Sequence, residues 1–176
     1  MSKGFVIWLT GLPASGKTTV AKLLARKLAQ LGVRVQVLES DELRKVITPQ
    51  AKYTEEERDH FYSVLVYIAK LLSDNGVNVI IDATGNKRKY RRKARDTIEK
   101  FMEVYLKCPL QVCMQRDPKG IYRMALEGKA KTVPGLQSKY EEPENPELTL
   151  NTAEDTPEQC TKAIIEKMKE LALITG

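Results

Sequence analysis

"FVIWLTGLPASGKTTVAKLL", from Phe5 to Leu24, joins an unbroken apolar run to a glycine-rich turn and then to residues spaced for a helix. The opening run reads as a fully buried strand. Val20, Leu23, Leu24, Leu28 and Leu31 recur at helical intervals, and Gly32 is placed to end that helix. Gly11, Gly16, Lys17 and Thr18 fit the pattern G-x-x-x-x-G-K-[ST], with the strand before it and the helix after it that the pattern requires. Such a turn aims backbone N–H groups inward and adds the positive end of a helix, which together form a cradle for phosphate. Pro13, Ala14, Ser15 and Thr19 belong to the same turn. Lys17 is positioned to reach the outer phosphates of a nucleoside triphosphate, and the Thr18 hydroxyl to ligand Mg2+. ATP and Mg2+ are therefore the expected ligands.

Working outward, apolar strand-like runs alternate with helical patterns. "VRVQVLES", "VNVIIDA", "MEVYLKCP" and "LTLNT" read as further strands. Between them lie helical stretches at "DELRKVI", at Thr54 to Gly76 with a capping box expected from Thr54 and Glu57, at "KRKYRRKARDTIEKF", at "LQVCMQRD", and at a closing segment after Pro157. The alternation predicts a three-layer α/β/α fold with a mainly parallel, doubly wound sheet. Residues 1–176 read as one domain, with a Gly-, Pro- and charge-rich lid segment over roughly 116–146. Ligands in such folds bind beyond the carboxyl ends of the strands. Four candidate loops gather on that edge: Gly11–Thr18, Ser40–Arg44, Ala83–Arg88 and Lys107–Pro109.

Composition narrows the chemistry. A formal net charge of +6 favours an anionic partner. His60 is the only histidine, which excludes a histidine-rich metal site and disfavours a histidine-based catalytic triad. Cys108, Cys113 and Cys160 have no metal-ligand spacing and read as buried thiols in a reducing cytoplasm. No apolar run approaches the roughly 20 residues of a membrane span.

The second strand runs into "LESDELRK". A carboxylate here is placed to orient an acceptor hydroxyl toward the γ-phosphate, and Asp41 is the candidate; with Lys17 it forms the expected catalytic pair. Arg44, three residues on, shares its face if a helix begins there, and its guanidinium suits phosphate or sulfate.

With "WLTGLPASGKTT", "LESDELR", "RDPKGIYRMALEGK" and "VPGLQSKYEEPENPEL" on the page, the chain resembles the adenylylsulfate kinase family over residues 3 to 152. The resemblance implies ATP-dependent phosphorylation of the 3′-hydroxyl of adenosine 5′-phosphosulfate. It implies that Arg44 and Arg58 bind the phosphosulfate, that Tyr53 stacks on the substrate adenine, and that Lys119 reaches the transferring phosphates. Arg116 and Thr152 are implied near the ATP base. Thr84, Gly85, Thr132, Phe61 and Val133 fall at further substrate positions. Several of these depart from the family: Phe61, Ser63 and Val64 replace an asparagine and two arginines, Val133 replaces a phenylalanine, and Gly85 stands at a serine position. With glycine there, a phosphoserine intermediate is impossible and transfer is direct. Either other residues, with Lys87 and Arg88 as candidates, take over the lost sulfate contacts, or the acceptor is another small molecule or an RNA end.

Residues 87–95 carry seven basic side chains in nine positions. This run reads as a solvated helix face, with an anion-binding edge as its functional reading; a non-catalytic, nucleotide-dependent RNA-binding module is the third hypothesis. The resemblance also implies a homodimer, with no membrane partner.

Overall fold

The computed structural model describes residues 2–176; Met1, counted in the single-domain expectation, lies outside the described residues. Strand β1 (Val6–Thr10) is buried at every position and leads through the glycine turn into helix α1 (Lys17–Gln30). Strand β2 (Val35–Glu39) passes directly into α2 (Ser40–Ile47), followed by the long α3 (Glu55–Asp74). Then come β3 (Asn78–Asp82), α4 (Arg88–Thr97), β4 (Phe101–Lys107), α5 (Leu110–Arg116), α6 (Ile121–Leu126), β5 (Leu148–Asn151) and α7 (Pro157–Glu170).

The sheet is wholly parallel in the order β2-β3-β1-β4-β5. From β1 the chain moves to one side and later returns to the other, so the crevice beyond Thr10 is a topological switch point. Alternation along β1 sorts its side chains between two cores. Ile7 and Leu9 face Leu24 and Leu28 of α1 and Ile164 and Met168 of α7. Val6 and Trp8 face Phe61, Tyr62 and Leu65 of α3 and Tyr90 and Ala94 of α4. A smaller cluster of Cys113, Tyr122, Ala125 and Val133 underlies the segment from α5 to residue 138.

Local signals explain the helix boundaries. Thr54 accepts the Glu57 N–H, but the Glu57 carboxylate reaches past the cap to the N–H groups of Lys52 and Tyr53. The expected capping box is therefore only half formed. A complete box stands instead at α7, where Thr156 and Gln159 exchange both bonds ahead of Pro157.

The basic run forms the solvated face expected of it, with Arg88, Lys89, Arg92, Lys93 and Arg95 exposed, and most of its charges are paired within the chain. Lys87 pairs with Glu55, Lys89 with Asp59, Arg88 and Arg92 with Glu144, and Arg95 with Glu147. Arg91 is buried and its Nε lies 3.0 Å from Glu103 Oε2, off the N–H axis and so an ion pair rather than a hydrogen bond. The helix is basic because acids from α3, β4 and residues 141–147 surround it.

Candidate active site

The glycine turn is built to hold something it does not itself supply. Gly16 adopts φ +98° and starts α1, whose first turn carries no acidic residue. Ala14 is also left-handed at φ 63°, a conformation that costs a non-glycine residue about 1–2 kcal/mol. Ser15 is fully buried, and its Oγ has no partner among the described residues. Lys17 folds across the turn, donating from Nζ to the carbonyls of Gly11 at 3.0 Å and Leu12 at 2.8 Å. Burial lowers its pKa to about 8, against the opposing pull of Asp82. An ammonium with only carbonyl partners in a desolvated turn gains most from an incoming polyanion.

The Thr18 hydroxyl donates to Asp82 Oδ2 at 2.7 Å. Asp82 closes strand β3 and is buried. A hydroxyl and a carboxylate at the turn's edge are hard oxygen donors, the set that suits Mg2+ shared with phosphate oxygens. Asp82 was absent from the expected site; a buried acid ending the apolar run "VNVIID" was the signal.

A cavity of about 830 Å³ opens from this turn. Pro13, Ala14, Gly16, Lys17, Thr18 and Thr19 form its floor. Gly11 and Ser15 contribute a carbonyl and a buried side chain behind that floor rather than wall surface. At one end Arg116 donates from Nη2 to the Thr152 carbonyl at 2.6 Å, which joins the two residues expected near the base.

At the other end α2 presents Asp41 from its first turn, bonded to the Lys119 ammonium. Burial tends to lower the Lys119 pKa, but the Asp41 carboxylate outweighs it and the net direction is upward. Arg44 lies with its guanidinium 4.0 Å above the Phe61 ring and 4.7 Å from the Tyr53 ring centroid. Arg58 donates to the Thr132 carbonyl at 2.7 Å. Tyr53 is held left-handed at φ 55° by the Glu57 carboxylate on its N–H and keeps an exposed ring against both arginines. Thr84, Thr132 and Val133 complete this wall.

Four expectations need correction. Phe61 is fully buried and forms no part of the cavity wall; its apolar ring sits beneath Arg44. Gly85 is also absent from the wall. A Cβ there would meet the Trp8 ring at 2.8 Å, so this position, at φ +55°, excludes side chains. Lys87 is taken by Glu55, and Arg88 by Glu141, Glu142 and Glu144, so neither replaces the lost substrate contacts. Tyr62 and Asn86, which were not expected, do reach the wall.

Comparison with known proteins places this geometry. The profile of the family described as "Adenylylsulphate kinase" matches residues 3–151. The probable adenylyl-sulfate kinase of Pyrococcus abyssi is 41% identical over 172 residues, covering 98% of this chain and 99% of the relative. The adenylyl-sulfate kinase of Clostridium acetobutylicum is 41% identical over 169 residues, covering 96% and 84%. Among solved structures, an APS kinase of Mycobacterium tuberculosis in complex with AMPPNP and APS superposes with a TM-score of 0.90 at 33% identity, covering 96% of this chain and 99% of that one. The likeness thus runs across almost the full length, and the chain belongs to the adenylylsulphate kinase family.

Proposed function

We infer that this chain is an adenylylsulfate kinase, moving the γ-phosphoryl group of ATP onto the 3′-hydroxyl of adenosine 5′-phosphosulfate. The observation that carries the reading is one cavity with the phosphate turn and Asp41 on its walls and two buried guanidiniums, Arg44 and Arg58, beyond them.

The turn's N–H groups and Lys17 bind and align the polyphosphate. Thr18 and Asp82 would hold Mg2+, which supplies charge neutralisation for the phosphoryl group in flight. Asp41 accepts or orients the hydroxyl proton of the acceptor. Lys119, released from Asp41, neutralises the transferring group. Arg44 and Arg58 hold the phosphosulfate, and the Tyr53 ring offers a face to the acceptor adenine. Arg116 and Thr152 bracket the ATP base. With glycine at position 85 the chain offers no serine there to carry the phosphoryl group, so the transfer is direct and in line.

Incubation with MgATP and adenylylsulfate, followed by chromatography of the nucleotides, tests the reading. Formation of 3′-phosphoadenylylsulfate is expected. Absence of that product from protein that still binds MgATP would remove the assignment and leave another hydroxyl acceptor as the reading. The basic run, on which an RNA-binding reading would rest, is paired largely with acids of the same chain.

Three further points belong to the same proposal. Residues 1–176 act as one domain with residues 116–146 as its lid. Copies of the 19.9 kDa chain pair as a homodimer, which sedimentation would show as twice that mass. The setting is cytoplasmic: the three cysteines are free and buried, and no helix among the described residues is long and apolar enough to cross a membrane.

A further inference from the structure

Tyr62 follows the buried Phe61 on α3 and reaches the cavity wall that Phe61 does not. Its ring is clamped. It stacks on Tyr90 with centroids 4.4 Å apart and on Trp8 at 6.1 Å, while Phe61 meets it edge-on at 5.2 Å. Its hydroxyl oxygen accepts the Gly85 N–H at 2.9 Å. A phenol also carries one hydrogen to donate. Among the described residues no acceptor receives that hydrogen, although only 4% of Tyr62 is exposed.

The surroundings say what kind of acceptor is missing. Burial raises the Tyr62 pKa, against the lowering effect of Arg44, the Gly85 N–H and Arg58, so the phenol keeps its hydrogen at neutral pH. Two guanidiniums and a Gly85 N–H are all donors. A buried O–H among donors is satisfied best by an oxyanion, which brings several lone pairs and no hydrogen of its own. Phe61, Ser63 and Val64 also leave α3 without the polar contacts that the resemblance implies there. Ser63 instead accepts from Lys93 on α4.

We propose that Tyr62 is a substrate-positioning and specificity residue of this chain, donating its hydroxyl hydrogen to an oxygen of the acceptor's phosphosulfate group alongside Arg44 and Arg58. The proposal rests on the adenylylsulfate reading above. The rigid aromatic stack fixes the donor before substrate arrives, which limits the entropy lost on forming the bond.

Tyr62→Phe removes the hydroxyl and keeps the ring. The expected result is a KM for adenylylsulfate raised roughly 10- to 100-fold, as for a lost hydrogen bond to a charged group, with the KM for MgATP within about twofold. Inhibition by adenosine, which lacks the phosphosulfate, should change by no more than about twofold. An unchanged KM for adenylylsulfate, or an equal loss with adenosine, overturns the proposal, because a residue that only shapes the wall would affect both ligands alike. A crystal complex of the unaltered protein with ADP and adenylylsulfate gives a test independent of whether the variant folds. A phosphosulfate oxygen about 2.7 Å from Tyr62 Oη supports the proposal, and one beyond about 4 Å refutes it. If the unaltered protein makes no product from adenylylsulfate, the function and the role of Tyr62 fall together. If it does, the variant tests Tyr62 alone.

Discussion

Lys17 sits in the turn with a pKa pulled down to about 8. Its charged form is what a polyphosphate needs, and a bound polyphosphate would in turn hold the proton on. MgATP affinity should therefore fall as pH rises through about 8, by up to tenfold per pH unit, and binding near pH 8 should draw in a proton. Calorimetry in buffers of different ionisation heat would show that uptake in the native protein and its loss in Lys17→Met. Asp41 gives a second expectation at this scale. Asp41→Ala should lower kcat by roughly 10²- to 10⁴-fold while leaving MgATP binding close to native, because Asp41 is proposed to serve the acceptor from the cavity wall. Steady-state rates beside nucleotide titrations would separate the two effects.

Among the elements, α4 shows what a helix period leaves out. Its solvated face was legible, but a helix period cannot reveal which acids fold against it. Those acids lie up to 56 residues away in the chain, as in the pairing of Arg88 with Glu144. Arg91 shows the point most clearly. It donates to the Gly85 carbonyl at 2.7 Å and the Glu141 carbonyl at 2.5 Å while facing Glu103. Arg91→Leu should destabilise the fold by about 3–5 kcal/mol, since Glu103 would be left buried with a single partner, Arg95. Burial already raises the Glu103 pKa, with Arg91 and Arg95 opposing it. Removing Arg91 raises it further, so the folded state takes up a proton more readily than the unfolded state. The deficit should accordingly shrink as pH falls, and denaturant melts at two pH values would show it. By contrast the phosphate turn, the strand alternation and Asp41 were legible, because each depends on local spacing. Asp82 was signalled locally, as an acid ending an apolar run, but Tyr62 and the burial of Phe61 were not legible, because they depend on which helix covers which side of the sheet.

For the whole molecule, the segment 116–146, proposed as a lid, is tied down at several points. Tyr122 donates to the Pro13 carbonyl at 2.7 Å, Arg58 holds Thr132, and Glu141 bonds the Asn86 carbonyl through its N–H at 2.8 Å. These ties link that segment to the phosphate turn, to α3 and to the loop after β3. Ligands that bridge the cavity's two ends should stabilise the fold as a unit. At a hundredfold excess over Kd, an inhibitor pair of ADP and adenylylsulfate is expected to add about 2.7 kcal/mol per saturated site, read as a single shifted melting transition. Two separate transitions would show that residues 1–176 are not one cooperative domain.

Trp8 is the chain's single tryptophan, fully buried, with its indole N–H donated to the Ala83 carbonyl at 2.9 Å and its ring beside Tyr62. The molecule's only indole fluorophore thus stands beside Tyr62, which lies on the wall of the chamber proposed for the acceptor. Its emission should respond when that chamber fills, which would let loading of the second substrate be followed in unlabelled protein on the stopped-flow timescale.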